Sequence, residues 1–156
     1  MNGSHKARLL FATLTAVVAA MLTAPSAASA DPVVTINSRL NNLCVDIEGG
    51  DYAPGARVIT WTCHGQANQD WYWDNGQIRS YLNNLCLDIE GGSYAPGAGI
   101  ITWPCHGRAN QSWYWYGEEI RSSLHNMCLD IEGGNYDRGA RLITWPCHGN
   151  ANQRWY

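Results

Sequence analysis

Apolar residues fall in short runs along most of this chain: Ile36 to Leu40, Leu43 to Ile47, Val58 to Trp61 and Trp71 to Trp73. Turn pairs punctuate them, at Gly49-Gly50, Pro54-Gly55, His64-Gly65 and Asn75-Gly76. No segment carries ten or more residues at helical period, so the pattern predicts an all-β fold.

The pattern then recurs twice more at a spacing of 42 residues. Every copy carries Cys-x-Asp-Ile-Glu-Gly-Gly followed by Ile-Thr-Trp-x-Cys-His-Gly-x-Ala-Asn-Gln-x-Trp-Tyr, and the copies run from about 33–75, 76–117 and 118–156. About four short strands per copy gives about a dozen in all. A unit of this size cannot bury its own apolar face, so three must pack about an axis and share one core. The third copy ends at Tyr156 where the first continues through Trp73. The segment beginning at Val33 is therefore expected to close the ring beside the C-terminal one, and closure without free sheet edges favours a soluble monomer.

Differences between the copies separate packing from surface. Positions 43, 85 and 127 read Leu, Leu, Met, and positions 58, 100 and 142 read Val, Ile, Leu, swaps that keep the position apolar. Positions 70, 112 and 154 read Asp, Ser, Arg, as solvent allows. Polar residues identical in all three copies remain as candidates for function.

The first thirty residues differ in kind. His5, Lys6 and Arg8 precede an apolar run from Leu9 to Leu22, and Ala28-Ser29-Ala30 has the form of a cleavage site. Residues 1–30 read as a secretory signal peptide rather than a membrane span, so membrane insertion is not expected. Cleavage after Ala30 leaves 31–156 as a single domain, secreted and extracellular. Lys6 and Arg8 depart with the leader, so eight arginines face thirteen acidic residues and the formal charge is −5. Such a surface draws neither nucleic acid nor anionic membrane.

Cys44, Cys63, Cys86, Cys105, Cys128 and Cys147 are even in number and evenly repeated. In an exported chain they imply disulfides. Threefold symmetry leaves pairs within repeats or pairs between neighbouring repeats; the former would staple each repeat across a Gly-rich loop, worth about 3 kcal/mol apiece. Each second cysteine adjoins a histidine, as in Cys63-His64, but adjacent ligands lack the spacing for tetrahedral zinc. No metal and no cofactor is expected.

Gln69-Asp70-Trp71, Gln111-Ser112-Trp113 and Gln153-Arg154-Trp155 are three Gln-x-Trp motifs at one period, each preceded by Asn and by Trp-x-Cys. Together with the upstream Cys-x-Asp, they resemble the ricin-type β-trefoil lectins, which include the family 13 carbohydrate-binding modules. The resemblance covers the whole of 31–156. It implies a β-trefoil of twelve strands, a closed barrel with a cap built from three pseudo-symmetric four-stranded repeats. It also implies disulfides within repeats and one shallow sugar pocket per repeat. The family's pocket aspartate falls on Asp46, Asp88 and Asp130, its stacking aromatic on Trp61, Trp103 and Trp145, and its polar asparagine on Asn68, Asn110 and Asn152. The neighbouring glutamines are Gln69, Gln111 and Gln153.

Sugar chemistry suits that set. A sugar offers C–H groups on its faces and hydroxyls on its rim, so a site needs an aromatic plate and a few fixed polar groups. An ionised Asp accepts from adjacent hydroxyls, and Asn both donates and accepts. Galactose-binding relatives often carry Gln two residues before the aromatic; here Ile59, Ile101 and Ile143 stand there. Galactose-type, xylose-type and mannose-type glycans or polysaccharides all stay open as partners.

Bland roles compete with these. The aspartates could serve turns ahead of Glu-Gly-Gly, Trp61 and its copies could be core, the glutamines could orient Asn, and His64, His106 and His148 fit a turn beside a disulfide. Trp71, Trp113 and Trp155 read as core. Glu48, Glu90 and Glu132 follow each Asp by two, a spacing that could mimic a glycosidase pair. Yet a small closed barrel that triples every candidate pair lacks one cleft with acid and base in distinct surroundings, so an enzyme is not expected. A β-trefoil protease inhibitor is the other alternative, but it needs one protruding loop, and no copy has one of unusual length.

Overall fold

The computed structural model describes residues 32–156; the signal peptide expected over residues 1–30 lies outside them. Ten strands form, all pairing antiparallel: β1 (Cys44–Ile47), β2 (Val58–Trp61), β3 (Trp71–Asp74), β4 (Gln77–Ser80), β5 (Cys86–Ile89), β6 (Ile100–Trp103), β7 (Trp113–Tyr116), β8 (Glu119–Ser122), β9 (Cys128–Ile131) and β10 (Ala140–Trp145). The two further strands expected fall on residues 34–38 and on Trp155. They meet their partners through isolated bridges, Val34 with Trp71, Asn37 with Cys44 and Ser38 with Trp155, too few to make ladders.

Those bridges close a barrel. The backbone N–H groups of Trp71, Trp113 and Trp155 donate to the carbonyls of Val34, Gly76 and Glu118 at 2.8, 2.7 and 2.7 Å, one bond per repeat at equivalent positions. The hairpins β3–β4 and β7–β8 join successive repeats, and Asn37 and Tyr156 exchange two backbone hydrogen bonds at 2.9 and 3.0 Å to complete the circle. Pairing of Asn37 with Tyr156 thus does for the third junction what a hairpin does for the other two.

The cap is made of the hairpins β1–β2, β5–β6 and β9–β10. Neighbouring hairpins touch through their second strands, at Arg57 with Ile101, Gly99 with Ile143 and Arg141 with Ile59. One disulfide staples each repeat, Cys44–Cys63, Cys86–Cys105 and Cys128–Cys147, the pairing within repeats.

The shared core explains the apolar positions. Trp71, Trp113 and Trp155 lie buried among Ile36, Ile78, Ile120, Val45, Leu87 and Leu129. Each indole N–H donates to a backbone carbonyl of the same repeat, Val45, Leu87 or Leu129, at 3.0 to 3.1 Å. A buried donor without a partner costs about 1–3 kcal/mol, so this bond lets so large a polar-tipped ring fill the centre.

Candidate functional site

Each cap hairpin starts a pocket. In the first repeat β1 places Asp46 directly opposite Ile59 of β2, and Trp61 ends β2 beside the staple at Cys44. After Ile47 the chain turns sharply through Glu48-Gly49-Gly50, where φ of 66° and 62° at the two glycines suits residues without a Cβ. Beyond the disulfide, the Ala67–Gln69 turn carries Asn68 and Gln69 back onto Asp46.

Asp46 is 3% exposed and held by a fixed set of donors. Asn68 Nδ2 donates to both of its carboxylate oxygens at 3.0 Å, Gln69 Nε2 to Oδ2 at 2.6 Å, and His64 Nε2 lies 3.4 Å from the same Oδ2. Oδ2 is therefore crowded, while Oδ1 receives Asn68 alone and keeps acceptor capacity. The Asn68 amide oxygen receives no hydrogen bond from the described residues, which leaves it too as an acceptor.

Gln69 has no such freedom. It is fully buried, its Nε2 also donates to the Thr62 carbonyl at 2.9 Å, and its Oε1 accepts from the His64 backbone N–H at 2.9 Å. Gln111 and Gln153 repeat that arrangement with Asp88 and Asp130. Both ends of these amides are used inside the protein, where they position the carboxylate and the histidine loop. The Gln66 N–H donates to His64 Nδ1 at 3.3 Å, so a neutral ring carries its proton on Nε2, facing Asp46.

The other copies match closely. Asn110 donates to Asp88 at 3.1 and 3.0 Å and Asn152 to Asp130 at 3.0 Å, with His106 and His148 each 3.5 Å from the carboxylate. Burial pushes all three carboxyls above their ordinary value, while the glutamine and asparagine hydrogen bonds and the histidine pull the other way. Burial wins because one face of each group is pressed into the hairpin.

The carboxylates floor three cavities, of about 380, 460 and 560 Å³ in repeats one, two and three. The first is lined by Asp46, Glu48, Ile59, Trp61, His64 and Asn68, among others, and the same positions line the rest. Asp, Trp and Asn thus converge in every repeat. Trp61, Trp103 and Trp145 are 36%, 43% and 43% exposed, so each offers a ring face to solvent. Glu48 also reaches its cavity, but Arg57 Nε and Nη2 grip it at 2.7 and 2.9 Å.

Reading one repeat at a time missed that each pocket borrows from a neighbour. The backbone N–H groups of Gly55, Gly97 and Gly139 donate to the carbonyls of Thr102, Thr144 and Thr60 at 2.7, 2.8 and 2.7 Å. A Cβ on any of them would lie 3.6 to 3.8 Å from the edge of Trp103, Trp145 or Trp61 respectively. The turn of one repeat therefore seats the indole of the next, and the signal available was the glycine shared by all three copies.

The family described as Ricin-type beta-trefoil lectin domain matches residues 32–155. Among solved structures, the C-half of the earthworm R-type lectin, crystallised with GalNAc, is 32% identical; the match covers 80% of this chain and 95% of that one at a TM-score of 0.71. The designed threefold-symmetric protein ThreeFoil is 26% identical over 79% of this chain and 95% of its own, with a TM-score of 0.74. The agglutinin from Abrus precatorius is 27% identical, with 81% of this chain and 48% of that one covered and a TM-score of 0.72.

Proposed function

We propose, from the premise that the chain belongs to the ricin-type β-trefoil lectin family, that it is a secreted carbohydrate-binding protein whose three cap pockets are sugar sites. The observation that carries this reading is the threefold convergence of a buried carboxylate, an asparagine amide and a half-exposed indole in cavities sized for a monosaccharide. The indole stacks on the C–H face of the sugar. Asp46 Oδ1 and the Asn68 amide oxygen accept from adjacent hydroxyls, as do their counterparts.

Hydrogen bonds to the charged acceptor supply about 1.5–3 kcal/mol each, enough with stacking for millimolar binding, near 4 kcal/mol per site. Three such sites on one rigid body raise avidity by about 10²–10⁴ on a branched glycan or polysaccharide of matching spacing. Ile59, Ile101 and Ile143 line the pockets where an amide would reach a further hydroxyl, which steers the choice of sugar toward apolar contact at that edge. Galactose-type glycans are one candidate class, in line with the GalNAc held by the earthworm lectin. Three disulfides fit an oxidising extracellular compartment, and the closed barrel fits a monomer.

The role proposed is binding without catalysis. Glu48, the only other carboxylate among the described residues lining the first pocket, is held by Arg57, which suits it poorly to proton transfer. A glycan array probed with residues 31–156 tests the reading: retention that free monosaccharide competes away is the expected result. Silence on the array, with inhibition of a protease or cleavage of a glycoside in parallel screens, would replace it.

A further inference from the structure

The three pockets share a floor but not a rim. At the turn that seats the neighbouring indole, the residue before the glycine is Pro54, Pro96 or Arg138. The third of these turns serves the first pocket, and there the guanidinium carbon of Arg138 lies over the Trp61 ring, 5.3 Å from its centroid. Among the described residues no other cation lies over a pocket indole. Trp61 is correspondingly the least exposed of the three indoles, and its cavity is the smallest.

Arg138 has no acidic partner. No carboxylate among the described residues lies within ion-pair distance of it, whereas Arg57 is already engaged by Glu48 of that pocket. The third pocket shows the opposite rim, with Gly97 following Pro96 beside Trp145 and Asn150 at the position occupied by Gln66 in the first. The second carries Arg108 at that position, a cation on the rim but not over the ring.

Building on the sugar-site reading, we propose that the first pocket is selective for acidic sugars, hexuronic acids or other carboxylate-bearing residues, while the third takes neutral ones. A sugar stacked on Trp61 lies beside that unpaired guanidinium, and a neutral one brings no charge to meet it. A carboxylated sugar draws the guanidinium off the ring into a bidentate, charge-assisted pair and so exchanges one contact for a stronger one. The lectin is then heterovalent: one chain reads a neutral and an acidic unit of the same polysaccharide.

The test is an NMR titration of the indole N–H signals, with Trp61 and Trp145 assigned through Trp61→Phe and Trp145→Phe. The probes are galactose, glucose and mannose beside galacturonic, glucuronic and mannuronic acids. Expected is a Trp61 signal that shifts with an acid at concentrations at least about tenfold below those at which the matching neutral sugar acts, with Trp145 showing no such preference. Arg138→Pro, which installs the residue of the other two turns, and Arg138→Ala should both remove the Trp61 preference. Equal response of Trp61 to acid and neutral sugars, or a preference that survives both variants, overturns the proposal. So does a Trp61 that stays silent to every acid while Trp145 responds to neutral sugars; if no pocket indole responds to any probe, the sugar-site reading falls with it.

Discussion

Six tryptophans in this chain occupy positions that repeat identically in all three copies, and they split into two sets with opposite surroundings. Trp71, Trp113 and Trp155 are 0%, 2% and 1% exposed, and each spends its N–H on a backbone carbonyl. Trp61, Trp103 and Trp145 stand at the ends of β2, β6 and β10 with a face open above a buried carboxylate. Repetition alone therefore does not distinguish what holds the molecule together from what it presents. Barrel and cap do: Trp71, Trp113 and Trp155 lie buried in the shared core, while Trp61, Trp103 and Trp145 line the cap pockets.

The sharpest way to break the contrast is to exchange the outcomes of one substitution. Trp71→Ala should cost about 3–5 kcal/mol, the range for emptying a core aromatic site, while Trp61→Ala should stay within about 0.5 kcal/mol. Urea unfolding measures both; comparable losses would erase the distinction between the two sets.

A smaller effect separates floor from frame. Changing Asp46, Asp88 and Asp130 together to Asn removes the charged acceptor but keeps its shape, and should weaken each site by about 1.5–3 kcal/mol. Near-UV circular dichroism should be unchanged. Binding that persists at full strength would mean the carboxylates serve only the Asn–Gln framework.

Smaller still is the response to pH. Because burial raises the three folded-state carboxyl pKa values, the folded protein takes up these protons before the unfolded chain does. Ionised, the three aspartates cost stability at neutral pH; as pH falls through the raised values toward the ordinary carboxylate range, these groups increasingly favour the folded state. On the proposed reading, the same protons neutralise the charged acceptor offered to sugar. Acidification should thus release glycan while far-UV circular dichroism and the melting temperature hold, and unfolding that precedes release would contradict it.

Much of this was legible in the order of residues. The period of the Gln-x-Trp motif implied three units about an axis, and the apolar swaps at positions 58, 100 and 142 marked packing. Val58, Ile100 and Leu142 are indeed buried in the core. The candidate set of Asp, Trp and Asn comes together in each repeat. For Gln69 the sequence left sugar contact and an orienting role side by side; its bonds to Thr62, His64 and Asp46 show the amide engaged within the protein. Arg138 was unreadable for a different reason. It belongs by sequence to the third repeat and stands over an indole of the first, and only the cap's circular packing brings it to Trp61.

The central claim is that the exposed indoles, unlike the buried ones, belong to ligand binding. Its most direct test is the variant Trp61→Ala, Trp103→Ala and Trp145→Ala, compared with the unaltered protein in retention on an immobilised glycan identified by the array. The account predicts that retention disappears while urea unfolding changes by no more than about 1.5 kcal/mol in total. Undiminished retention by a folded triple variant would contradict it.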